Sequence, residues 1–454
     1  MDKKILLVDA ISVRPDENDE IWKFENEEQN KYVEFRGRAI SEFLGEDIFD
    51  KGVVEEKYIS NYGLLMFGGL LKQNGIPVSY TNGDYFDSED DYIANLKTEY
   101  KDYDIFCFTS TTPQFNHVKR LAEAVKSMNS NATTILGGPH TKYFFTHEKD
   151  AAFDYVVTGY GIDKSVELIK KILNNEKTSS WRIDSGKYYE CPKDFSLIPD
   201  DKKMGTLWYN YFEMGCPHRC KYCVEPHEYL CYADVRSRMD EVEYAIKTCN
   251  LKMFHFCDSD FFMNEKVCNL VIDEIQRRGI KCTFTVNTCP STLIRIAEKP
   301  ILRRFKENGL VELLIGAEHF SENVRVKLSK HYDLDALQKA LDIVKHKVKI
   351  PVISIFSMVG LPFEHEEDIK INVEVFKQMR EKDLFDFVFP KFFVPYPGTE
   401  IYTDTEKYDI RIMTDNFDVY NRKTLSRPVK INGMDDSLYV KEIFDLIKTN
   451  INYK

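Results

Sequence analysis

The sequence predicts an α/β protein built from two successive domains with parallel sheets. Short apolar segments alternate with amphipathic ones along most of the 454 residues, and strands that alternate with helices are typical of parallel sheets. Several of these apolar segments run directly into small or hydroxyl residues. A chain of this length is expected to hold two or three domains. We predict a sheet domain, a linker, a barrel domain and a C-terminal region at 1–175, 176–204, 205–400 and 401–454.

The first domain contains segments typical of buried strands. They lie at 3–10, 76–80, 103–110, 133–140 and 155–161. Helical patterns separate them, at 62–75, 88–100, 114–129 and 163–174. A polar insert at 11–57 shows weak periodicity, and we interpret it as a loop with one or two short helices. This order predicts a doubly wound parallel sheet.

Small residues mark the carboxyl ends of these strands. Ligands of doubly wound sheets bind outside those ends, and small residues let a bulky ligand approach the backbone. The candidates for such a site are Thr109, Ser110, Thr111, Gly137, Gly138, Gly159 and Gly161. The alternative is that these glycines only form turns.

The second domain continues the alternation of strands with helices. Strand patterns lie at 206–214, 253–262, 282–287, 311–318, 352–358 and 385–389. Helical patterns lie between them at 240–249, 264–278, 291–308, 334–346 and 366–381. The pattern indicates an open α/β barrel, whose active site is expected at the carboxyl ends of its strands.

Three cysteines follow the first of these strands. Cys216, Cys220 and Cys223 are close enough for their thiolates to bind one face of a small iron–sulfur cluster. A cubane cluster held by three ligands keeps one iron open. A structural zinc site is the alternative, but it needs four protein ligands, and the nearest further cysteine is Cys231.

Composition excludes several classes of protein. The formal net charge is −12 and the pI is about 5.5, which argues against a nucleic-acid-binding surface. The N-terminal apolar run is too short for a signal peptide, and no segment approaches the ~20 apolar residues of a membrane span. We therefore expect a cytoplasmic protein with no nucleic-acid or membrane partner. In that compartment its 11 cysteines are expected to be ligands or buried thiols.

The cysteine spacing, with Tyr222 just before the third thiol, resembles the CxxxCxxC signature of radical S-adenosylmethionine (SAM) enzymes. Four further segments resemble those of the branch that carries cobalamin: Asp258-Ser259-Asp260-Phe261, Gly316-Ala317-Glu318, Gly360-Leu361-Pro362-Phe363-Glu364 and Pro395-Tyr396-Pro397-Gly398-Thr399-Glu400. Phe363 replaces a glycine of the family pattern. The six predicted strands fit the partial (β/α)6 barrel of the family.

Residues 1–175 resemble the Rossmann-like cobalamin-binding domain found ahead of many radical SAM domains. The resemblance rests on the Thr109-Ser110 and Gly137-Gly138-Pro139-His140 strand ends and on Gly159-Tyr160-Gly161-Ile162, where the family usually has Gly-Glu-Gly-Glu. The Asp-x-His-x-x-Gly motif that supplies a lower cobalt ligand is absent. His140 and His117 are the remaining candidates for that ligand, and a structural role is the favoured interpretation of both.

The resemblance, to class B radical SAM methyltransferases, implies a 4Fe–4S cluster on the three cysteines, with SAM and cobalamin as further cofactors. Tyr222, Asp258, Asp260, Glu318 and Gly360 are then expected to contact SAM. The implied reaction methylates an unactivated carbon of a small molecule through a 5′-deoxyadenosyl radical and methylcobalamin. A low-potential donor of the flavodoxin or ferredoxin type is the implied partner. The alternatives are a cyclisation or rearrangement without methyl transfer, and a non-catalytic sensor.

Overall fold

The computed structural model describes residues 3–12, 20–48, 58–59, 61–159, 162–185, 193–203, 206–207, 209–225, 229–232, 234–249, 251–421, 427–431 and 433–450. The described residues belong to two compact units. Unit 1 comprises Met1–Arg14, Glu56–Trp208 and Asn416–Tyr420, and unit 2 comprises Pro15–Glu55, Tyr209–Asp415 and Asn421–Lys454.

The strands have the following bounds in chain order: β1 (Ile5–Asp9), β2 (Tyr58–Ile59), β3 (Ser79–Asn82), β4 (Ile105–Thr109), β5 (Thr133–Gly137), β6 (Tyr155–Gly159), β7 (Arg182–Ser185), β8 (Thr206–Leu207), β9 (Tyr209–Asn210), β10 (Glu213–Gly215), β11 (Tyr229–Tyr232), β12 (Met253–Phe256), β13 (Thr283–Thr288), β14 (Leu310–Glu318), β15 (Val352–Val359), β16 (Phe387–Phe392), β17 (Ile410–Ile412) and β18 (Val429–Ile431).

The α-helices have the following bounds: α1 (Glu20–Leu44), α2 (Tyr62–Gln73), α3 (Glu89–Glu99), α4 (Phe115–Met128), α5 (Asp163–Leu173), α6 (Asp200–Lys203), α7 (Val235–Cys249), α8 (Glu265–Arg278), α9 (Pro290–Ile296), α10 (Pro300–Glu307), α11 (Glu322–Lys327), α12 (Leu334–Asp342), α13 (Glu366–Glu381), α14 (Glu400–Thr403) and α15 (Asp436–Ile447).

Unit 1 is built on a parallel sheet, as the sequence predicts. Its strand order is β3-β1-β4-β5-β6-β7, and every neighbouring pair is parallel. The chain leaves β1 toward one edge and returns through β4 on the other side, so the topological switch point lies between β1 and β4. Ligands of such sheets bind at the carboxyl ends of the strands beside this point. The sheet also gains β7 from residues that the sequence assigned to the linker.

Residues 416–420 belong to unit 1 although they lie far along the chain. Phe417 packs against the rings of Phe115, His140 and Tyr143, with centroids 5.7, 4.6 and 5.2 Å away. Asn116 donates from Nδ2 to Asn416 Oδ1 at 2.8 Å. The sequence placed this segment in a separate C-terminal region, because nothing in its composition indicates a partner so distant in the chain.

Unit 2 contains the predicted sheet of six parallel strands, in the order β9-β12-β13-β14-β15-β16. The predicted first strand, 206–214, is divided in the structure. Its start, β8, pairs with β2 in unit 1, and only β9 enters the barrel sheet. Its end, β10, forms an antiparallel hairpin with β11. Thus one β-rich segment contributes strands to three different sheets. Local strand propensity does not show which sheet each part of the segment joins.

The helix α1 occupies much of the predicted polar insert and belongs to unit 2. It is 25 residues long, whereas we expected short helices in the first domain. Tyr32 packs on Val352 and Phe387, and Ile40 packs on Val311. These partners lie at the amino ends of β15, β16 and β14, so α1 covers the amino end of the barrel.

Membrane-spanning helices were sought in the described part of the chain. None of its helices is both long enough and apolar enough to cross a bilayer.

Candidate functional site

The three cysteines of the signature lie in the loop after β10. Cys216 and Cys220 are buried and Cys223 is half-buried. The loop is held at its base, because Cys223 N donates to Cys220 O at 3.1 Å. The backbone N–H of Lys221 donates to Leu328 O at 3.1 Å. The structure therefore presents three thiols from one short, anchored segment.

The chemistry of these thiols fits an iron–sulfur cluster. Burial raises the pKa of Cys216 to about 12 and that of Cys223 to about 11. Thiolates at such a site need a positive partner, which the irons of a cluster provide. The fourth cysteine of the zinc alternative, Cys231, lies on β11, in register with Met214. Three thiols in one loop match a cluster that keeps one iron open.

Asp258 and Asp260 lie behind the loop and do not present open carboxylates. Asp258 accepts from Phe212 N at 3.1 Å and Glu213 N at 2.7 Å, which fixes the segment leading into the loop. Burial raises the pKa of Asp258 to about 7. The structure thus gives this carboxylate a role in fixing the loop, and the expected contact with SAM stays a prediction.

Asp260 binds the loop itself. Its side chain is 1% exposed and accepts from His218 Nε2 at 3.1 Å. The same carboxylate accepts from Thr288 Oγ1 at 3.1 Å, Cys289 N at 3.1 Å and Thr292 Oγ1 at 2.6 Å. Asp260 therefore fastens a residue between two of the cysteines to the carboxyl end of β13. The sequence places Asp260 in an acidic turn, but it does not show that the Asp260 side chain points toward the cysteine loop.

Removing this carboxylate should weaken cluster retention. In Asp260→Ala, two hydroxyls and one backbone N–H lose their buried acceptor, at a cost of about 1–3 kcal/mol each, and His218 is released. We expect severalfold less iron and sulfide per chain after anaerobic reconstitution, measured by chemical analysis and electron paramagnetic resonance. Thr292→Val is the matched control, since it removes one donor and leaves the bond to His218. Full iron and an unchanged spectrum in Asp260→Ala would contradict this role.

Glu318 and Lys330 form a polar pair at the carboxyl end of β14. Lys330 Nζ lies 3.9 Å from Glu318 Oε1 and 3.9 Å from Cys289 Sγ, and the lysine is 8% exposed. Burial lowers the pKa of Lys330, but electrostatic interaction with the acidic groups of Cys289, Glu318 and Cys220 outweighs burial and raises it. This arrangement offers one carboxylate and one ammonium to a zwitterionic ligand. Lys330 was not predicted, because it lies in a loop without a motif.

The backbone at this pair is strained. Glu318 has φ +67 and lies at a register shift between Gly316 and Glu318. A Cβ on Gly316 would lie 2.9 Å from Glu318 Oε1, so a larger residue would displace the carboxylate. Non-glycine residues with positive φ cost on the order of 1–3 kcal/mol and cluster at functional sites.

Tyr222 lies between two of the cysteines as a half-buried side chain with a buried hydroxyl. Its hydroxyl has no hydrogen-bond partner among the described residues. Burial raises the pKa of Tyr222, and the charges of Glu318 and Cys220 add to this effect. An orphaned polar atom next to a thiol loop fits a site that receives a polar cofactor.

Gly360 lies in a turn fixed by protein groups. Glu364 Oε2 accepts from Gly360 N at 2.7 Å and from Leu361 N at 2.9 Å. A Cβ on Gly360, which has φ +73, would lie 2.4 Å from Arg427 Nη2. The positive φ favours glycine here, a larger residue would displace the Arg427 guanidinium, and the expected contact with SAM remains a prediction.

The carboxyl end of the unit 1 sheet has the small residues expected of a ligand site. Gly138 has φ +91, and a Cβ there would lie 2.6 Å from Thr109 Oγ1 and 2.7 Å from Ser110 N. Gly137 is different, since a Cβ would meet only Phe108 O at 3.7 Å. The strand ends thus form a cradle in which a Cβ at Gly137 would make only an ordinary contact with the protein, which is compatible with a bulky cofactor.

The other predicted residues of this edge have separate roles. Thr111 Oγ1 donates to Gln114 Oε1 at 2.6 Å, at the start of a helical turn. At Gly159, which has φ +95, a Cβ would lie 2.1 Å from Ser185 O, so its small size serves the packing of β7. Gly161 lies outside the described residues.

The two histidines, for which the sequence favours a structural role, are both buried in unit 1. His140 is fully buried, and its ring lies 4.2 Å from Phe115 and 4.6 Å from Phe417. Burial lowers the pKa of His140 to about 3. His117 accepts at Nε2 from Ile11 N at 3.3 Å and contacts Glu89 at 2.9 Å through Nδ1.

Asp9 is a buried carboxyl group at the switch point that the sequence did not single out. It ends β1 and accepts from Asn61 N at 2.8 Å and Tyr80 OH at 2.9 Å. Burial raises the pKa of Asp9 to about 7. In the sequence Asp9 is only an aspartate after an apolar run, so the sequence does not indicate that its carboxyl group is buried.

This carboxyl should make stability depend on pH. The folded pKa of Asp9 is raised from 3.8 to about 7, so the folded state binds more protons and stability falls as pH rises through that window. The full shift corresponds to about 4 kcal/mol as an upper limit. We expect Asp9→Asn to flatten the fall in melting temperature between about pH 4 and 7, measured by calorimetry of the apoprotein. Asp102→Asn, at an exposed position, is the control and should leave the slope unchanged. A slope in Asp9→Asn equal to that of the wild type would contradict the assignment.

Two protein families match the chain. The B12 binding domain matches residues 53–169, and the Radical SAM superfamily matches residues 212–375. Together these segments cover more than half of the chain.

Two sequence relatives extend over most of the chain. The anaerobic magnesium-protoporphyrin IX monomethyl ester cyclase of Rubrivivax gelatinosus is 22% identical over 417 residues, which is 84% of this chain and 71% of the cyclase. An uncharacterized methyltransferase of Pyrococcus horikoshii is 22% identical over 333 residues, 66% of this chain and 69% of the relative.

Solved structures share the fold. The radical SAM methyltransferase TsrM of Kitasatospora setae, with cobalamin and a 4Fe–4S cluster bound, covers 100% of this chain and 90% of its own, with a TM-score of 0.68 and 14% identity. The cobalamin-dependent radical SAM enzyme OxsB, with aqua-cobalamin bound, covers 83% of this chain and 52% of its own, with a TM-score of 0.58 and 12% identity.

The thiol loop at the end of a parallel barrel, the glycine cradle of the other sheet and the two matched families lead to one assignment. This chain belongs to the radical SAM superfamily, as a cobalamin-dependent enzyme whose cofactors are a 4Fe–4S cluster, SAM and cobalamin.

Proposed function

We propose that this enzyme is a C-methyltransferase that acts on an unactivated carbon of a small molecule. The observation that carries the proposal is that a single chain combines a B12 binding domain with a three-thiol radical SAM loop. When bound, SAM and the cluster supply a 5′-deoxyadenosyl radical, and cobalamin supplies the methyl group. One chain thus holds both reagents that methylation of an unactivated carbon requires.

The residues of the chain would bind and orient these groups. Cys216, Cys220 and Cys223 would hold the cluster, and Asp260 would keep their loop in place through His218. Glu318 and Lys330 suit the amino and carboxylate groups of SAM, because their charges have the opposite sign. In unit 1, the open space at Gly137 would receive cobalamin.

Similar proteins support a small-molecule methyl acceptor. One TsrM structure, which covers 89% of this chain with a TM-score of 0.63 and 15% identity, contains tryptophan as substrate. The relative from Pyrococcus horikoshii is named a methyltransferase. No basic surface or repeat in the sequence suggests a polymeric substrate.

A cyclisation or rearrangement without methyl transfer is the second candidate. It is favoured by the cyclase of Rubrivivax gelatinosus, which aligns with 84% of this chain. The two reactions consume SAM differently. Methylation produces S-adenosylhomocysteine as well as 5′-deoxyadenosine, whereas the alternative produces 5′-deoxyadenosine alone.

The experiment is an anaerobic assay of the reconstituted holoenzyme with methyl-deuterated SAM, titanium(III) citrate and a metabolite extract. Titanium(III) citrate replaces the low-potential electron donor expected in the cell. We expect both SAM products and a metabolite whose mass has increased by one deuterated methyl group. If 5′-deoxyadenosine forms alone, the methyltransferase proposal is overturned in favour of rearrangement. If SAM is not cleaved, the methyltransferase and the rearrangement proposals are both overturned in favour of a non-catalytic sensor.

A further inference from the structure

The parallel sheet of unit 2 carries side chains that are partly accessible to solvent. Half-buried side chains alternate there with fully buried ones such as Phe256, Ile315 and Ile355. Because strand side chains alternate between the two faces of a sheet, the half-buried positions share the inner face. The inner face, called the lumen below, is defined by His255, Asn287, Phe356, Phe389 and Lys391.

The floor of the lumen is closed by α1. Tyr32 donates from its hydroxyl to Glu312 Oε2 at 2.8 Å, and Ser354 Oγ donates to Glu312 Oε1 at 2.6 Å. Arg36 Nη1 in turn donates to the Tyr32 hydroxyl at 2.9 Å. Glu312 and Ser354 are therefore occupied by protein groups, and a ligand has to bind above them.

One wall of the lumen is aromatic. The rings of Phe356 on β15 and Phe389 on β16 have centroids 5.9 Å apart at an angle of 40°. Tyr32 contacts Phe389 edge-on, at 5.0 Å and 84°, from the floor. Both phenylalanines remain half-buried, so they offer apolar ring surface to a ligand. Flat aromatic ligands gain from such rings beyond the area that they bury.

The facing wall is polar and uncharged. In the sheet, β12 and β13 flank β14 on one side, and β15 and β16 flank it on the other, so curvature makes the two pairs face each other. The wall carries His255, whose Nδ1 lies 2.6 Å from Thr285 Oγ1, and Asn287, whose Nδ2 lies 3.4 Å from His255 Nε2. Burial lowers the pKa of His255 to about 4, so the ring is neutral at neutral pH.

A cation lies above the aromatic wall. Lys391 is two residues after Phe389 on β16 and therefore on the same face, one step closer to the carboxyl end. It is half-buried. The lumen thus presents a flat apolar surface, an opposite neutral edge with hydrogen-bonding groups, and a half-buried lysine one step closer to the carboxyl end of β16.

We propose that the lumen binds the substrate of the proposed reaction, and that this substrate is a planar aromatic molecule with a carboxylate group. The ring lies against Phe356 and Phe389, and the carboxylate pairs with Lys391. His255 and Asn287 fix the polar edge of the ring. This inference rests on the proposed function, because it names the substrate class of the same site.

The test is isothermal titration calorimetry of the anaerobic holoenzyme, loaded with SAM, against four small acids and amides. Indole-3-acetate and 2-naphthoate have the proposed chemistry, indole-3-acetamide lacks the charge, and cyclohexylacetate lacks the flat ring. We expect both aromatic acids to bind, indole-3-acetamide to bind about tenfold more weakly, and cyclohexylacetate to bind about threefold to tenfold more weakly.

Substitutions test which residue causes each binding preference. Lys391→Met should abolish the difference between acid and amide, and Phe356→Leu should reduce the difference between flat and non-planar acids. Lys347→Met, at an exposed position, is the matched control and should retain both preferences. The proposal is overturned if neither aromatic acid binds, or if the preference for the acid persists in Lys391→Met. This readout needs no turnover, so it separates a wrong substrate class from a wrong reaction.

Discussion

Replacement of Cys216, Cys220 or Cys223 by alanine should abolish SAM cleavage. Two thiolates cannot retain a cluster that presents one open iron, and without it no electron reaches the bound SAM. The loss should exceed about a hundredfold, because the cofactor supplies the chemistry and the remaining residues only bind and orient. The measurement is 5′-deoxyadenosine formed under titanium(III) citrate, with iron and sulfide per chain determined on the same sample.

Cys282→Ala is the matched control for these variants. Cys282 is also buried, and burial raises its pKa to about 12, but it lies at the start of β13 among core residues. It should retain iron and cleavage even if the fold is slightly destabilised by the smaller side chain. Cleavage at the normal rate in any of the three loop variants would remove the basis for the cluster site.

The sequence identified the features that depend on short-range pattern. The cysteine spacing lies within eight residues, and the alternation of strands and helices is expressed locally in each segment. Both parallel sheets could therefore be predicted, together with the three thiols. The end of β14 was also predictable, since Gly316 and Glu318 stand together in one motif.

Features that depend on contacts between distant segments could not be predicted. Helix α1 binds the amino end of the barrel through Tyr32, Arg36 and Ile40, which follow one another at four-residue spacing. That spacing indicates a helix face, but the many charges around it weaken the apolar pattern. Its partner Glu312 lies 280 residues away, and no local signal names it.

The directions in which side chains point could not be predicted from the sequence either. Asp258 and Asp260 follow a strand that points toward the site, which suggested contact with SAM. In the structure both turn back to bind the loop and the strand before it. Lys330 reaches the same site from a loop after α11, where no periodicity exists. A sequence shows which residues are near in the chain, whereas catalytic geometry depends on which atoms point inward.

Filling the space at Gly137 should expel cobalamin. Gly138 is a poor probe, because a Cβ there meets Thr109 and Ser110 at 2.6–2.7 Å and the backbone has φ +91. At Gly137 the nearest heavy atom to a new Cβ is Phe108 O, at 3.7 Å, so Gly137→Val is expected to fold without displacing protein atoms. A cofactor bound in that space would instead collide with the valine.

We therefore expect Gly137→Val to retain less than about a tenth of the cobalamin of the wild type, equivalent to at least 1.4 kcal/mol of lost binding. Cobalamin is measured from the ultraviolet–visible spectrum after anaerobic reconstitution and desalting. Thr133→Val, at the amino end of the same strand, controls for a β-branched substitution in β5 and should retain the cofactor. The iron content of Gly137→Val should be normal, because the thiol loop belongs to the other unit. Normal cobalamin in Gly137→Val would show that the cofactor does not occupy this edge, since the valine takes the space that the glycine leaves open.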